Sequence, residues 1–275
     1  MEPKQRGPLY FLFCLLFVML WISPILASLL TSVKTLAELD RGEYWTWPES
    51  FSLSNYREAF TQGKFGVYFW NSLAVTIPSV ITILFLSSLN GYALEKLRFN
   101  QSKSISLLFV SGMLLPFQIL IIPVFYLSSH ILHTYDTRFG VYLFHVAFQI
   151  AFSSFFMKNF AKSIPNEIIE AARMDGCSEF EIYTKVVLPL MIPALSSLAC
   201  LLFTWIWNDY LWSLILIQSD DLKTVTLGLQ NLKGQWISSY HLQSAGAVIA
   251  ALPPVLLFVF LQKHFIKGLT MGSGK

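Results

Sequence analysis

Four groups of residues in this chain have types and spacings that could do chemistry. Glu170-Ala171-Ala172-Arg173-Met174-Asp175-Gly176 is followed, ten residues after the glycine, by Val186-Val187-Leu188-Pro189, and the whole lies between two long apolar segments. A polar helix and turn held at a membrane surface is a docking element. Asp209, beside Asn208, interrupts an otherwise uncharged run over 186–219. An Asp at the middle of a spanning helix costs about 2.5–3.5 kcal/mol, so it marks function unless it lies near the edge. If that span enters near Leu190, Asp209 lies about 28 Å further along at 1.5 Å per residue, close to the far interface. A satisfied interfacial carboxylate and a substrate ligand are both open readings. His130 and His133 form His-x-x-His, for which no third metal ligand is evident. Gly268 and Gly274 are separated by five residues, where a phosphate-cradling loop needs four before Gly-Lys-Ser/Thr. No ATP site is expected there.

The elements that would hold the first group can be read from its punctuation. Pro165 suits the first turn of a helix and Gly176 the left-handed residue just past its end, which frames a helix over about 165–175. Ser178 with Glu181 three residues later has the form of a capping box, so a second helix starts there and runs toward Leu188-Pro189. On the first helix Ile168, Ile169, Ala172 and Gly176 are expected on one face, with Glu167, Glu170 and Met174 on another. The small residues at 171, 172 and 176 would let a second surface approach closely.

Composition sets the environment. The 275 residues are 55% hydrophobic and only 13% charged, which excludes an ordinary soluble domain and points to a polytopic membrane protein. Apolar runs supply six stretches able to cross about 30 Å of hydrocarbon as helices. The expected spans are about 9–31, 67–94, 105–127, 139–158, 187–217 and 243–262, in a single transmembrane domain over 1–275. Between 104 and 135, Pro116, Pro123 and Ser128-Ser129-His130 argue for one helix with an irregular exit. Twelve of the 19 Lys and Arg fall in segments on the N-terminal side of the membrane and seven on the other, which puts both termini and the Glu170 loop, 161–186, in the cytoplasm. Residues 31–66 are then an external loop and 263–275 a cytoplasmic tail. Lys4 and Arg6 precede the first run, yet its length exceeds a signal peptide's apolar core, so it reads as a retained span. Three cysteines, at 14, 177 and 200, make no disulfide framework. A net charge of +3 carries topology and implies no nucleic acid.

The spacing Glu-Ala-Ala, three residues, Gly, nine residues, an aliphatic, one residue, Leu-Pro resembles the cytoplasmic loop of permease subunits of binding-protein-dependent ABC importers. Val186 stands where that family more often has Ile. The Asn71-Ser72-Leu73 opening and Tyr92-Ala93-Leu94 exit of the second span, Pro116, Gln118 and Pro123, Trp207-Asn208-Asp209 and the Gly268–Lys275 terminus extend the resemblance over about 50–275. It is similar in particular to the smaller permease of maltose-type carbohydrate importers. The resemblance implies an all-α membrane protein with six transmembrane helices, the type I importer permease fold. It further implies a non-catalytic subunit paired with a second homologous permease and an ABC ATPase dimer carrying ATP and Mg, fed with sugar by an extracytoplasmic solute-binding protein. Glu170, Ala171, Ala172, Asp175 and Gly176 would couple to the ATPase, and the tail at Gly272, Gly274 and Lys275 would reach its interface.

Candidate substrate-path residues are Asn71, Gln118, Trp205, Asn208 and Asp209. Each polar one could instead cap a helix or bond across helices. Trp205, Trp207, Tyr210 and Trp212 could stack on sugar rings or form an interfacial aromatic belt. A stand-alone secondary transporter would want ionisable groups near mid-membrane, and only Asp209 and His145 are offered. An intramembrane enzyme would need a nucleophile and base within the spans, and no such set is visible.

Overall fold

The computed structural model describes residues 7–61, 64–97, 99–232 and 239–272. Its helices are α1 (Pro8–Val33), α2 (Leu36–Asp40), α3 (Ser54–Thr61), α4 (Phe65–Lys96), α5 (Ser102–Met113), α6 (Ile121–Tyr126), α7 (Arg138–Lys162), α8 (Asn166–Met174), α9 (Glu179–Trp207), α10 (Leu211–Leu216), α11 (Val225–Gly228) and α12 (Tyr240–Gly272). Among the described residues five are long and apolar enough to cross a membrane: Leu9–Val33, Phe65–Lys96, Arg138–Lys162, Glu179–Trp207 and Tyr240–Gln262.

The sixth stretch differs from the expected helix over 105–127. Ser102–Met113 and Phe117–Ile131 are bent by 89°. Pro116 has no N–H to give, and the residue before a proline is pushed out of the helical region. The chain closes instead with tight turns, in which the N–H groups of Leu114 and Leu115 donate to Ser111 and Gly112 carbonyls three residues back. The fifth stretch also departs from the expected 187–217. Its helix ends at Trp207, and α10 follows after a break at 208–210.

Two compact units divide the chain, Met1–Gly66 with Gly228–Leu252, and Val67–Leu227 with Pro253–Lys275. In the first, α1 exposes apolar side chains all round, Leu9, Phe13 and Trp21 among them, the pattern of a helix solvated by lipid or another apolar surface. The segment that follows α1 is held by buried polar groups. Lys34 Nζ donates to the Glu43 carbonyl and to Thr46 Oγ1 at 3.0 Å. Asn55 Nδ2 donates to the Ser32 and Lys34 carbonyls. Thr35 and Glu38 form a capping box on α2, and the other Glu38 oxygen accepts from Glu49 N–H at 2.7 Å. Those donors hold the Glu38 carboxyl down at about 2, against an ordinary 4.5.

In the second unit the core gathers Ile83, Val141, Met157, Ile182, Val187, Met191, Leu198, Leu202 and Leu216. Helix α4 crosses α7 closely: a Cβ on Gly91 would lie 2.7 Å from the Met157 backbone. The two sets of loops sorted by Lys and Arg are joined among themselves. Asp136 accepts from the Gln218 and Ser219 N–H groups, and Ser72 Oγ accepts from Val225 N–H. In the other set, Lys158 Nζ donates to Ser106 Oγ at 2.8 Å.

Candidate functional site

The Glu170 segment folds as its punctuation requires. Helix α8 runs from Asn166 to Met174 with Pro165 in the capping position, and Gly176 has φ +83°. Cys177 N–H donates to the Ala172 carbonyl and Gly176 N–H to that of Arg173. This is a Schellman closure, which needs a left-handed residue at Gly176 and satisfies the Ala172 and Arg173 carbonyls of the last turn. Two residues later the Ser178–Glu181 capping box starts α9, which opens with a wide π turn over Ile182–Val187.

The faces of α8 are only partly those expected. Ile169 is buried, and Ala172 packs with Cys177 against the chain's own core. Ile168, expected beside them, is exposed. Ala172 is thus turned inward, while Glu170, Ala171, Met174, Asp175 and Gly176 face out. Met174 and Phe180 are 84% and 71% exposed, the apolar tips of an otherwise polar surface. Glu170 lines a small cleft with Glu95, Lys96, Asn166, Ile169 and Arg173.

What fixes α8 is a stripe on α4 that the motif itself does not reveal. Ser88, Tyr92 and Lys96 recur every four residues, hence on one helix face. Ser88 Oγ pairs with Tyr183 Oη at 2.7 Å, and Tyr92 Oη donates to Glu179 Oε2 at 2.6 Å. Lys96 Nζ donates to the Ile164 carbonyl at 2.6 Å and to Asn166 Oδ1 at 2.8 Å. Glu179 Oε1 completes the frame by accepting from Arg173 Nε at 2.6 Å, and that pairing raises the Arg173 pKa. Both ends of α8 are therefore tied to one spanning helix. The sequence signal was a polar residue at every fourth position near the end of a span.

The path candidates separate. Asn71 is buried and donates to the Asp221 and Lys223 carbonyls at 2.8 and 3.0 Å, a loop anchor. Gln118 is exposed in the tight turn Phe117–Leu120. Trp205, Asn208 and Asp209 line one cavity of about 550 Å³, together with Phe117, His145 and Phe148. Asp209 accepts from the Trp212 and Ser213 N–H groups at 3.3 and 3.0 Å and from Ser213 Oγ at 3.2 Å, so it caps α10. Trp207 and Trp212 are core residues, stacked on Phe203 and Phe144. Gly272 is the last residue of α12, while Gly274 and Lys275 lie outside the described residues.

Residues 91–271, which include α8 and all of its frame except Ser88, match the family described as binding-protein-dependent transport system inner membrane component. The chain belongs to that family. Full-length relatives agree. The permease is 34% identical over 267 residues to the arabinooligosaccharides transport system permease protein AraQ of Bacillus subtilis (strain 168), covering 96% of this chain and 94% of the relative. It is likewise 34% identical over 259 residues to the probable starch degradation products transport system permease protein AmyC of Thermoanaerobacterium thermosulfurigenes, covering 94% and 93%. In fold it is similar to a chain of a bacterial ABC transporter involved in the import of the acidic polysaccharide alginate, with TM-score 0.84, 24% identity and coverage of 94% and 95%. The permease is a non-catalytic, multi-pass membrane component of a bacterial-type ABC importer, and ATP is hydrolysed on partner ATPase subunits.

Proposed function

We propose that this permease carries a sugar or oligosaccharide inward across a prokaryotic cytoplasmic membrane, with both termini in the cytoplasm. It forms the path with a second homologous permease, couples to an ABC ATPase dimer holding ATP and Mg, and receives sugar from an extracytoplasmic solute-binding protein. Relatives whose names specify arabinooligosaccharides and starch degradation products support the substrate class. The observation that carries the coupling role is the exposed helix Asn166–Met174, held at both ends by α4. A load placed on Glu170, Ala171 or Met174 passes through Arg173, Glu179 and Tyr92 into a helix 32 residues long. Closure of the ATPase dimer then favours one of two packed arrangements of the permease pair by differential contact energy. Purification of the tagged permease in mild detergent should recover an ABC ATPase and a second permease, and the reconstituted assembly should take up sugar only with ATP. Recovery of the chain alone, with uptake driven by an ion gradient, would overturn the proposal.

A further inference from the structure

Between α2 and α3 the chain presents four large apolar side chains that it does not itself cover. Trp45, Trp47, Phe51 and Leu53 are 69%, 79%, 73% and 71% exposed. Two anchored residues carry them. Thr46 Oγ1 accepts from Lys34 Nζ at 3.0 Å, and its neighbours on either side are Trp45 and Trp47. Ser52 N–H donates to the Val33 carbonyl at 2.8 Å, and its neighbours are Phe51 and Leu53. The polar residue of each triplet is tied inward, and the two apolar ones beside it are left outside.

Both anchors lie at the end of a span, which sets the depth of the patch. Exposed apolar side chains continue along α1 as far as Leu29, and Val33 is four residues on, about 6 Å further at 1.5 Å per residue. Tyr44 supplies a second marker, packing edge-on against Tyr240 with ring centroids 6.2 Å apart, where the apolar helix Tyr240–Gln262 begins. The patch is thus fixed beside the ends of two helices long enough to cross a membrane, where hydrocarbon gives way to headgroups. Tryptophan suits that zone, because its ring is apolar and its N–H is polar. The charge around it narrows the lipid chemistry. No Lys or Arg occurs over 42–56, and Glu43 and Glu49 both pair with Arg41 at 2.8 Å. Attraction to anionic headgroups needs clustered basic residues, and this face has none. A soluble partner would first have to displace the lipid that surrounds α1 up to Leu29.

We propose that Trp45, Trp47, Phe51 and Leu53 form a lipid-binding face that enters the headgroup–acyl boundary of the bilayer and fixes the depth of α1. Its partner is the neutral interface itself. The bonds from Lys34 and to Val33 transmit that depth to the last turn of α1. The inference is independent of which solute the permease carries.

The test places the full-length permease, with its co-purifying subunits, in nanodiscs of phosphatidylcholine brominated either near the headgroup end or near the methyl end of the acyl chains. The chain has eight tryptophans, so the signal is the fluorescence difference between wild type and the double variant Trp45→Phe/Trp47→Phe. Bromine near the headgroup end should quench that difference about twofold more than bromine near the methyl end, because an interfacial face lies only about 5–10 Å into the boundary. Leu53→Trp, added to the double variant, should restore the same preference by a gain of signal. Brominated phosphatidylglycerol should change the quenching by less than about 1.5-fold. Quenching by iodide in the water phase with none by either bromine would put the face in water and overturn the proposal. Quenching seen only in phosphatidylglycerol would make the contact electrostatic and overturn it too. Shielding from iodide that arises only when a solute-binding protein is added would assign the face to that protein instead of to lipid.

Discussion

Tyr92 Oη donates to Glu179 Oε2 across 2.6 Å, joining the last turns of α4 to the first turn of α9, and the same carboxylate holds Arg173 at the end of α8. One acidic side chain therefore connects α4, α8 and α9. Tyr92→Phe removes the bond and keeps the ring. Loss of one such bond is worth about 1 kcal/mol, so thermal unfolding of the purified permease should fall by about 2–4 °C. An unchanged midpoint would show that the contact carries no load.

Gly176 can be tested by conformation alone. Its φ is +83°, and a Cβ there would meet nothing within 4 Å, so any penalty is strain and not a clash. Asn tolerates the left-handed region and β-branched residues do not. Gly176→Val should abolish coupled uptake while the protein remains in the membrane, and Gly176→Asn should retain most of it, measured as ATP-driven transport against membrane content. Equal activity of the two variants would contradict the role of the turn.

At Gly91 the penalty is steric. The added methyl of Gly91→Ala would sit 2.7 Å from the Met157 carbonyl carbon and 2.9 Å from Lys158 N, so α4 and α7 must separate. Overpacking of this kind costs about 1–3 kcal/mol. Membrane abundance and thermal midpoint should both fall. A variant as stable as wild type would show that the crossing is looser than the structure has it.

The segment between α1 and α3 should respond to acid through Glu38. Its carboxyl is held at about 2 by the Thr35 hydroxyl and N–H and the Glu49 N–H, against 4.5 in the ordinary state. A depressed acid stabilises the folded loop fully above about pH 4.5, and that contribution disappears as pH falls through about 2. Protection of the Thr35 and Glu49 amides, taken relative to their intrinsic exchange at each pH, should therefore fall between those values, and in Glu38→Gln it should already be low at neutral pH. Protection unchanged across that range in the wild-type protein would contradict the assignment.

The docking helix was legible because its signals are local: a proline before the first turn, Gly176 after the last, and Ser178 with Glu181. Its inward face was legible only in part. Ile168 and Ile169 are adjacent in sequence, so apolarity alone could not say which one the core takes, and the core takes Ile169. The stripe of Ser88, Tyr92 and Lys96 has partners 68 to 95 residues away, a separation that no local pattern encodes. Pro116 was visible as a breaker, yet the 89° bend depends on how the chain repacks after the break. Counting residues put Asp209 close to the far interface of a span running on to 217, whereas the helix ends at Trp207, and its work as the cap of α10 required α10, which the apolar run concealed.

The central claim is that the exposed side of α8 is where an ATPase subunit seats, and Met174, 84% exposed at its C-terminal end, is the place to ask. A photo-crosslinking amino acid at position 174, irradiated in native membranes, should yield one dominant adduct with an ABC ATPase subunit, lost in Gly176→Val. Adducts only with lipid or with another permease chain would contradict the account.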